Sequence, residues 1–280
     1  MREIRSEQIT ENVKRACIEA CCDLPEDVLD ALKQSLEIES SPIAKDVLEQ
    51  LIENAKIARI EQMPICQDTG FTLVFVELGQ DAHVVGGDLN EAINAGVRRG
   101  YEEGYLRKSI VRHPLDRKNT GDNTPAVIHI EIVPGDSLKI TVAPKGGGSE
   151  NMSAAKMLTP ADGFEGVKLF VVDVVRSAGS NPCPPIIVGI GLGGTLEKAA
   201  LLSKKAVLRR VGEPSANPKD SEIERELLTA LNDTGVGPAG LGGRVTALAV
   251  HVESYPCHIA SLPVAITMQC HAARHMEFVL

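Results

Sequence analysis

Apolar residues recur at helical spacing along the first sixty positions and at strand spacing beyond them. Ser6 to Cys22 reads as one helix, and Pro25 restarts a second after Asp23-Leu24. Ser41-Pro42 supplies an N-cap followed by proline at the first helical position, so a third helix begins there. Cys17 and Cys21 lie one turn apart on the face that carries Val13, which predicts core thiols. After Gly70 the period changes. Phe71 to Leu78 reads as a buried strand, and a helix from about Asp88 to Leu106 comes next. A polar loop then runs to Pro125. Ala126–Val133 and Leu138–Ala143, joined by Pro134-Gly135-Asp136-Ser137, predict a β-hairpin.

Beyond the glycines at 146–148 the pattern predicts helices near Ala154–Met157 and over Gly163–Ala178. A strand from Ile186 runs into Gly189–Gly194, and Thr195 caps a helix reaching to Arg210. Ser221–Leu231 reads as a further helix, and Val245–Val252 and Pro263–Met268 as strands. The reading is an α+β fold: a helical N-terminal region (residues 1–62), then mixed sheets flanked by helices (63–280), taken as one domain and not as a Rossmann fold. Gly189-Ile190-Gly191-Leu192-Gly193-Gly194 has the G-x-G-x-x-G form, but Val211-Gly212-Glu213-Pro214 comes after its helix instead of a strand ending in a ribose-binding acid. Close packing of helix on strand is the better explanation.

Composition narrows the function. With 29 basic and 38 acidic residues the net charge is −9, which argues against a nucleic-acid partner. No apolar run nears the ~20 residues of a membrane span, and the N-terminus lacks a signal-peptide core, so a cytoplasmic location is expected. The seven histidines form no H-E-x-x-H pattern, which makes a zinc hydrolase a poor reading.

Three cysteines keep unusual company: Pro64-Ile65-Cys66-Gln67-Asp68-Thr69-Gly70, Asn181-Pro182-Cys183-Pro184-Pro185 and Met268-Gln269-Cys270-His271-Ala272-Ala273-Arg274. Thiols presented by turns can converge on soft iron, and three ligands would leave one iron open for chemistry. Cys257, beside Pro256 and His258, is a rival third ligand that spacing does not exclude. Asp68 lies close enough to Cys66 to act on a substrate, although a turn aspartate ordinarily bonds its own backbone. Arg107 has the planar fork that suits a carboxylate. Lys145-Gly146-Gly147-Gly148-Ser149 can form a nest of backbone N–H groups for an anion.

Together these segments, with Leu106-Arg107-Lys108-Ser109 and Asn119-Thr120-Gly121-Asp122-Asn123-Thr124-Pro125-Ala126, resemble the α subunit of the two-subunit class I iron–sulfur fumarate hydratases and L-tartrate dehydratases. The resemblance runs from residue 66 almost to the C-terminus, in family order. It implies a 4Fe–4S cluster held by Cys66, Cys183 and Cys270, with Cys257 outside the set. It implies a substrate pocket lined by Gln67, Asp68, Arg107, Gly146, Gly147 and Gly148, with Asp68 as candidate catalytic acid or base. A separate β subunit would supply the remaining groups, including a catalytic threonine, in an α2β2 heteromer. The family often has C-W-A-A-R-R where His271 and His275 stand here. The implied reaction is reversible hydration of fumarate to L-malate, with L-tartrate dehydration as alternative. A four-ligand electron-transfer module, in which Cys257 joins the cluster, is the non-enzymatic reading.

Overall fold

The structure, a computed structural model, describes residues 2–280. The chain forms two compact units interleaved in sequence, one from Met1–Leu24, Ala55–Gly147 and Arg274–Leu280, the other from Pro25–Asn54 and Gly148–Ala273. Helices and mixed sheets alternate in both, so the α+β reading holds. Among the described residues no helix is long and apolar enough to cross a membrane.

The first unit is built on four strands: β2 (Phe71–Gly79), β4 (Val127–Val133), β5 (Leu138–Lys145) and β10 (Met276–Val279), in the order β10-β5-β2-β4. Helices α1 (Ser6–Cys22) and α4 (Leu89–Glu103) bury Ile9, Val13, Cys17, Ile93 and Val97 against Val74, Val76, Ile140 and Val142 of the sheet. Cys17 and Cys21 are therefore core thiols, as the helical spacing requires. A short parallel pair, β1 (Arg2–Arg5) with β3 (Ala82–Val85), adjoins α1.

One sequence expectation fails here. Ala126–Val133 and Leu138–Ala143 are strands but not a hairpin, because β2 lies between them, parallel to β4 and antiparallel to β5. The run Thr72–Val76 is buried throughout, and such a strand needs partners on both edges. The Pro134–Ser137 turn instead bridges two strand spacings. Its Gly135 and Ser137 carbonyls accept from Asp81 and Gly79 N–H at 2.9 and 2.8 Å.

The second unit carries β6 (Ala154–Leu158), β7 (Ile186–Gly193), β8 (Ala247–Tyr255) and β9 (Leu262–Gln269), in the order β6-β9-β7-β8. The predicted helix near 154–157 is thus a strand. Ala, Lys and Met favour a helix, yet antiparallel pairing from Ala154↔Ile266 to Leu158↔Leu262 overrides that weak preference. Helices α6 (Gly163–Ala178) and α8 (Pro218–Asn232) bury Val167, Val171, Val175, Leu227 and Leu231 against Val188, Ile190, Val250 and Ile266.

The glycines of β7 answer to α7 (Leu196–Ala206). A Cβ on Gly191 would stand 1.9 Å from the Ala199 carbonyl oxygen, and one on Gly189 would stand 2.2 Å from that of Ser203. Only a strand without side chains lets α7 lie this close, so the G-x-G pattern serves packing. β8 returns parallel to β7 only after both α7 and α8.

Glu39 fastens α2 (Glu26–Ile38) to the strand side of this unit. Its buried carboxylate accepts backbone N–H bonds from Ser40 (2.7 Å), Ser41 (3.0 Å), Arg244 (2.7 Å) and Val245 (3.3 Å). Burial pushes its pKa up, but the four N–H groups outweigh burial and hold it below the ordinary 4.5. A depressed carboxylate pKa gives stability that is fully present above the unfolded value and lost as pH falls through the folded one. Glu39→Gln should therefore cost about 1.5–3 kcal/mol at neutral pH. Thermal unfolding of both proteins from neutral to about pH 3 checks this, since the gap should narrow as the wild-type carboxylate is protonated.

Candidate metal centre

In the first unit the candidate residues surround a single turn. Ile65 N–H donates to the Cys21 carbonyl at the end of α1 (2.9 Å), which ties the start of the Cys66 loop to that helix. Asp68 organises the turn itself. Its Oδ1 accepts from Gly70 N–H at 2.9 Å, the expected aspartate turn, and its Oδ2 accepts from Gly147 N–H at 2.8 Å. Its own N–H donates to Cys66 Sγ at 3.4 Å, and its carbonyl accepts from Arg274 Nη2 at 2.9 Å. The glycine loop thus already receives an anion, the carboxylate of Asp68.

The turn is braced from outside. The buried Tyr101 hydroxyl donates to the Thr69 carbonyl at 2.8 Å, within reach of that of Gly70 at 3.2 Å. Thr69 Oγ1 donates to the Arg107 carbonyl at 3.1 Å, which holds the Arg107 backbone beside the turn and leaves its side chain exposed. Asn123, fully buried with φ 61°, accepts from Ser109 N–H at 2.6 Å and donates to the Gly70 carbonyl at 3.2 Å. Gly70 has φ +72°, and a Cβ there would lie 2.3 Å from the Lys145 carbonyl oxygen. Gln67 is exposed, with its Oε1 3.6 Å from Cys66 Sγ.

In the second unit the loops that carry two candidate thiols meet at one end of the sheet. Cys183 leads into β7, and Cys270 comes directly after β9, whose Gln269 pairs with Ile187 of β7. His271 Nδ1 lies 3.0 Å from the Cys183 carbonyl, and the His271 N–H donates to the same oxygen at 3.5 Å. Gln269 Nε2 donates to Cys270 Sγ at 3.7 Å. Cys257 is elsewhere. It lies two residues beyond Tyr255, the partner of Gly193, and β7 spans about 26 Å between the two ends. Its thiol donates to the Ser261 carbonyl at 3.3 Å and lines a separate cavity of about 610 Å³ with Met157, Thr195 and Tyr255.

The seven thiols fall into two chemical groups. Burial pushes Cys21 up to about 12 and pushes Cys17 and Cys22 up as well, so these stay protonated at neutral pH and make poor ligands. Cys66 and Cys270 are half-buried and Cys183 and Cys257 exposed, so these four can be reached by a group bound from outside. Cys183 has φ 55°, a region that favours glycine, so this position keeps a side chain at a backbone cost. Among the described residues no three His, Cys, Asp or Glu side chains gather around a single ion. A 4Fe–4S cluster takes each thiolate on a different iron and so spaces its ligands more widely. Soft sulfur donors, two of them accepting N–H bonds, fit that group by their chemistry.

Arg274, Asn123, Tyr101 and His271 position this machinery, and no role for any of them could be read from the chain alone. Three of them stand within motifs already singled out, but a positioning residue has no signature of its own. Tyr101, inside α4, carries no local signal at all.

The family model described as fumarate hydratase (fumerase) matches residues 10–279. "Putative L(+)-tartrate dehydratase subunit alpha" of Methanocaldococcus jannaschii is 46% identical over 264 residues, covering 91% of this chain and 92% of that protein. "L(+)-tartrate dehydratase subunit alpha" of Escherichia coli, in strains UTI89 and K12, is 36% identical over 255 residues, covering 90% of this chain and 84% of each relative. The family match spans every segment of the Asp68 turn and of the Cys183 and Cys270 loops. The chain belongs to the fumarate hydratase (fumerase) family.

Proposed function

We propose that this chain is the α component of an iron–sulfur hydro-lyase that removes water from, or adds it to, a four-carbon dicarboxylic acid. The observation that carries the reading is the joining of the Cys183 and Cys270 loops through His271, with Cys257 at the far end of the same sheet. Cys66, Cys183 and Cys270 would hold a 4Fe–4S cluster. When bound, the cluster supplies Lewis-acid stabilisation of the charge that develops as water leaves or adds.

The chain's own residues account for the rest of the proposal. Arg107, exposed beside the Asp68 turn, meets a substrate carboxylate with its bidentate fork. Gln67 and the N–H groups of Gly146 and Gly148 offer neutral donors to the same anion, while that of Gly147 is taken by Asp68. Asp68 keeps the turn closed through two of its roughly four lone-pair positions, which leaves others to accept a proton or orient a donor. Arg274, which binds the Asp68 carbonyl, stands only four positions after Cys270 in the chain. The relatives carry the words "subunit alpha", which supports a separate β subunit as the partner that completes the pocket.

L-Tartrate is the first choice of substrate, because the named relatives are tartrate dehydratases. Fumarate hydration is the second reading, favoured by the description of the matching family. The anaerobically reconstituted chain mixed with its β subunit should turn over L-tartrate, and neither component should do so alone. Turnover of fumarate alone would select the second reading, and turnover of neither would overturn both.

Replacing Cys66, Cys183 or Cys270 with Ser should lower bound iron and sulfide after anaerobic reconstitution, while Cys257→Ser should leave them at the wild-type level. Elemental analysis reads this directly. Arg107→Lys keeps the charge but loses the fork, so kcat/KM should fall about ten- to a hundredfold, the worth of one charge-assisted hydrogen bond. Steady-state kinetics on the reconstituted complex measures the fall, with iron content unchanged.

A further inference from the structure

We propose that β4 is a homotypic interface, through which two copies of this chain pair antiparallel about Ile130 to join their four-stranded sheets. β4 ends the sheet, with β2 on one side and no strand of this chain on the other among the described residues. Edge strands are ordinarily blunted by lysine, proline or a bulge. Residues 127–133 contain neither residue, and their register with β2 runs unbroken from Leu73↔Val127 to Gly79↔Val133. Large aliphatic side chains are exposed there, Ile130 at 47% and Ile132 at 71%.

The sequence of this edge complements itself. Val127-Ile128-His129-Ile130-Glu131-Ile132-Val133 reads almost the same in both directions, differing only at His129 and Glu131. A two-fold axis through Ile130 sets Val127 opposite Val133, Ile128 opposite Ile132 and Ile130 opposite itself. It sets His129 opposite Glu131 twice, where an imidazole N–H can donate to a carboxylate across the strands. The faces agree with this. Ile128 packs on the core beneath α1 and α4, and His129 is on the other face, stacked on Phe75 at 5.2 Å between ring centroids. Three isoleucines from each copy would then continue the core face, while two His–Glu pairs lie on the opposite one. A register shifted by one residue would set apolar against charged positions and lose both features. The occupant is thus a second copy, and the interface is isologous.

Sedimentation equilibrium of the full chain should show a concentration-dependent dimer. Ile130→Lys puts two ammonium groups face to face at the axis and should leave a monomer with wild-type circular dichroism. His129→Glu sets Glu opposite Glu and should weaken dimerisation at least about tenfold. The double variant with Glu131→His swaps the charges and should restore it, which a merely structural effect of position 129 would not do. Cysteine cross-linking gives a readout independent of the folding of those variants. Directly opposite Cα atoms are about 4.5–5.5 Å apart, within disulfide range, so Ile130→Cys should cross-link to itself under mild oxidation. Ile128→Cys would lie about 14 Å from its copy and should not. Peptide mass mapping distinguishes these links from those of native thiols. A monomer at every concentration, a dimer that survives Ile130→Lys, or equal cross-linking at 128 and 130 would each overturn the proposal.

Discussion

Asp68 closes a turn that three separate stretches of chain must meet to form. Its carboxylate bonds forward to Gly70 and across to Gly147, while its carbonyl takes a donor from Arg274. Together these bonds hold the backbone from Cys66 to Gly70 in one conformation. A half-buried carboxylate accepting backbone N–H groups is a charge-assisted arrangement and stronger than a neutral turn. The presentation of Cys66 Sγ depends on it, and so, through Thr69, does the place of the Arg107 backbone.

Much of this was legible in the sequence, for reasons that differ from residue to residue. Helices α1, α4 and α6 begin or end where caps, prolines and apolar periodicity put them, because those signals are local. The Cys66 and Cys270 segments stand out because turn residues beside a thiol are unusual in a core. Pairing was not legible. The hairpin expected over residues 126–143 is local in sequence, whereas the pairing found requires β2, more than fifty residues earlier, to pass between its two strands. β6 reads as a helix because its composition is helical and its partner β9 lies a hundred residues away. The braces on the Asp68 turn escape notice for a related reason: Tyr101 and Asn123 act through side-chain hydrogen bonds to distant backbone, and such bonds leave no pattern.

The glycines illustrate how one motif can mislead. A G-x-G-x-x-G run between strand and helix invites a nucleotide, yet here Gly189 and Gly191 lie under the backbone of α7. The tripeptide Gly146–Gly148 invites an external anion, and Gly147 already holds an internal one. In both cases the glycine is needed because another part of the protein comes close, and a sequence does not say whether the close neighbour is a ligand or the chain itself.

Interleaving of the two units has a consequence for biosynthesis. The ribosome emits all of Gly148–Ala273 before it reaches Arg274 and β10, so the second unit can fold while the first still lacks its last strand. The donor that Arg274 brings to the Asp68 carbonyl is made only after the whole of that stretch. Until then the Cys66 loop has only part of its bracing, and an oxidisable thiol waits on the nascent chain.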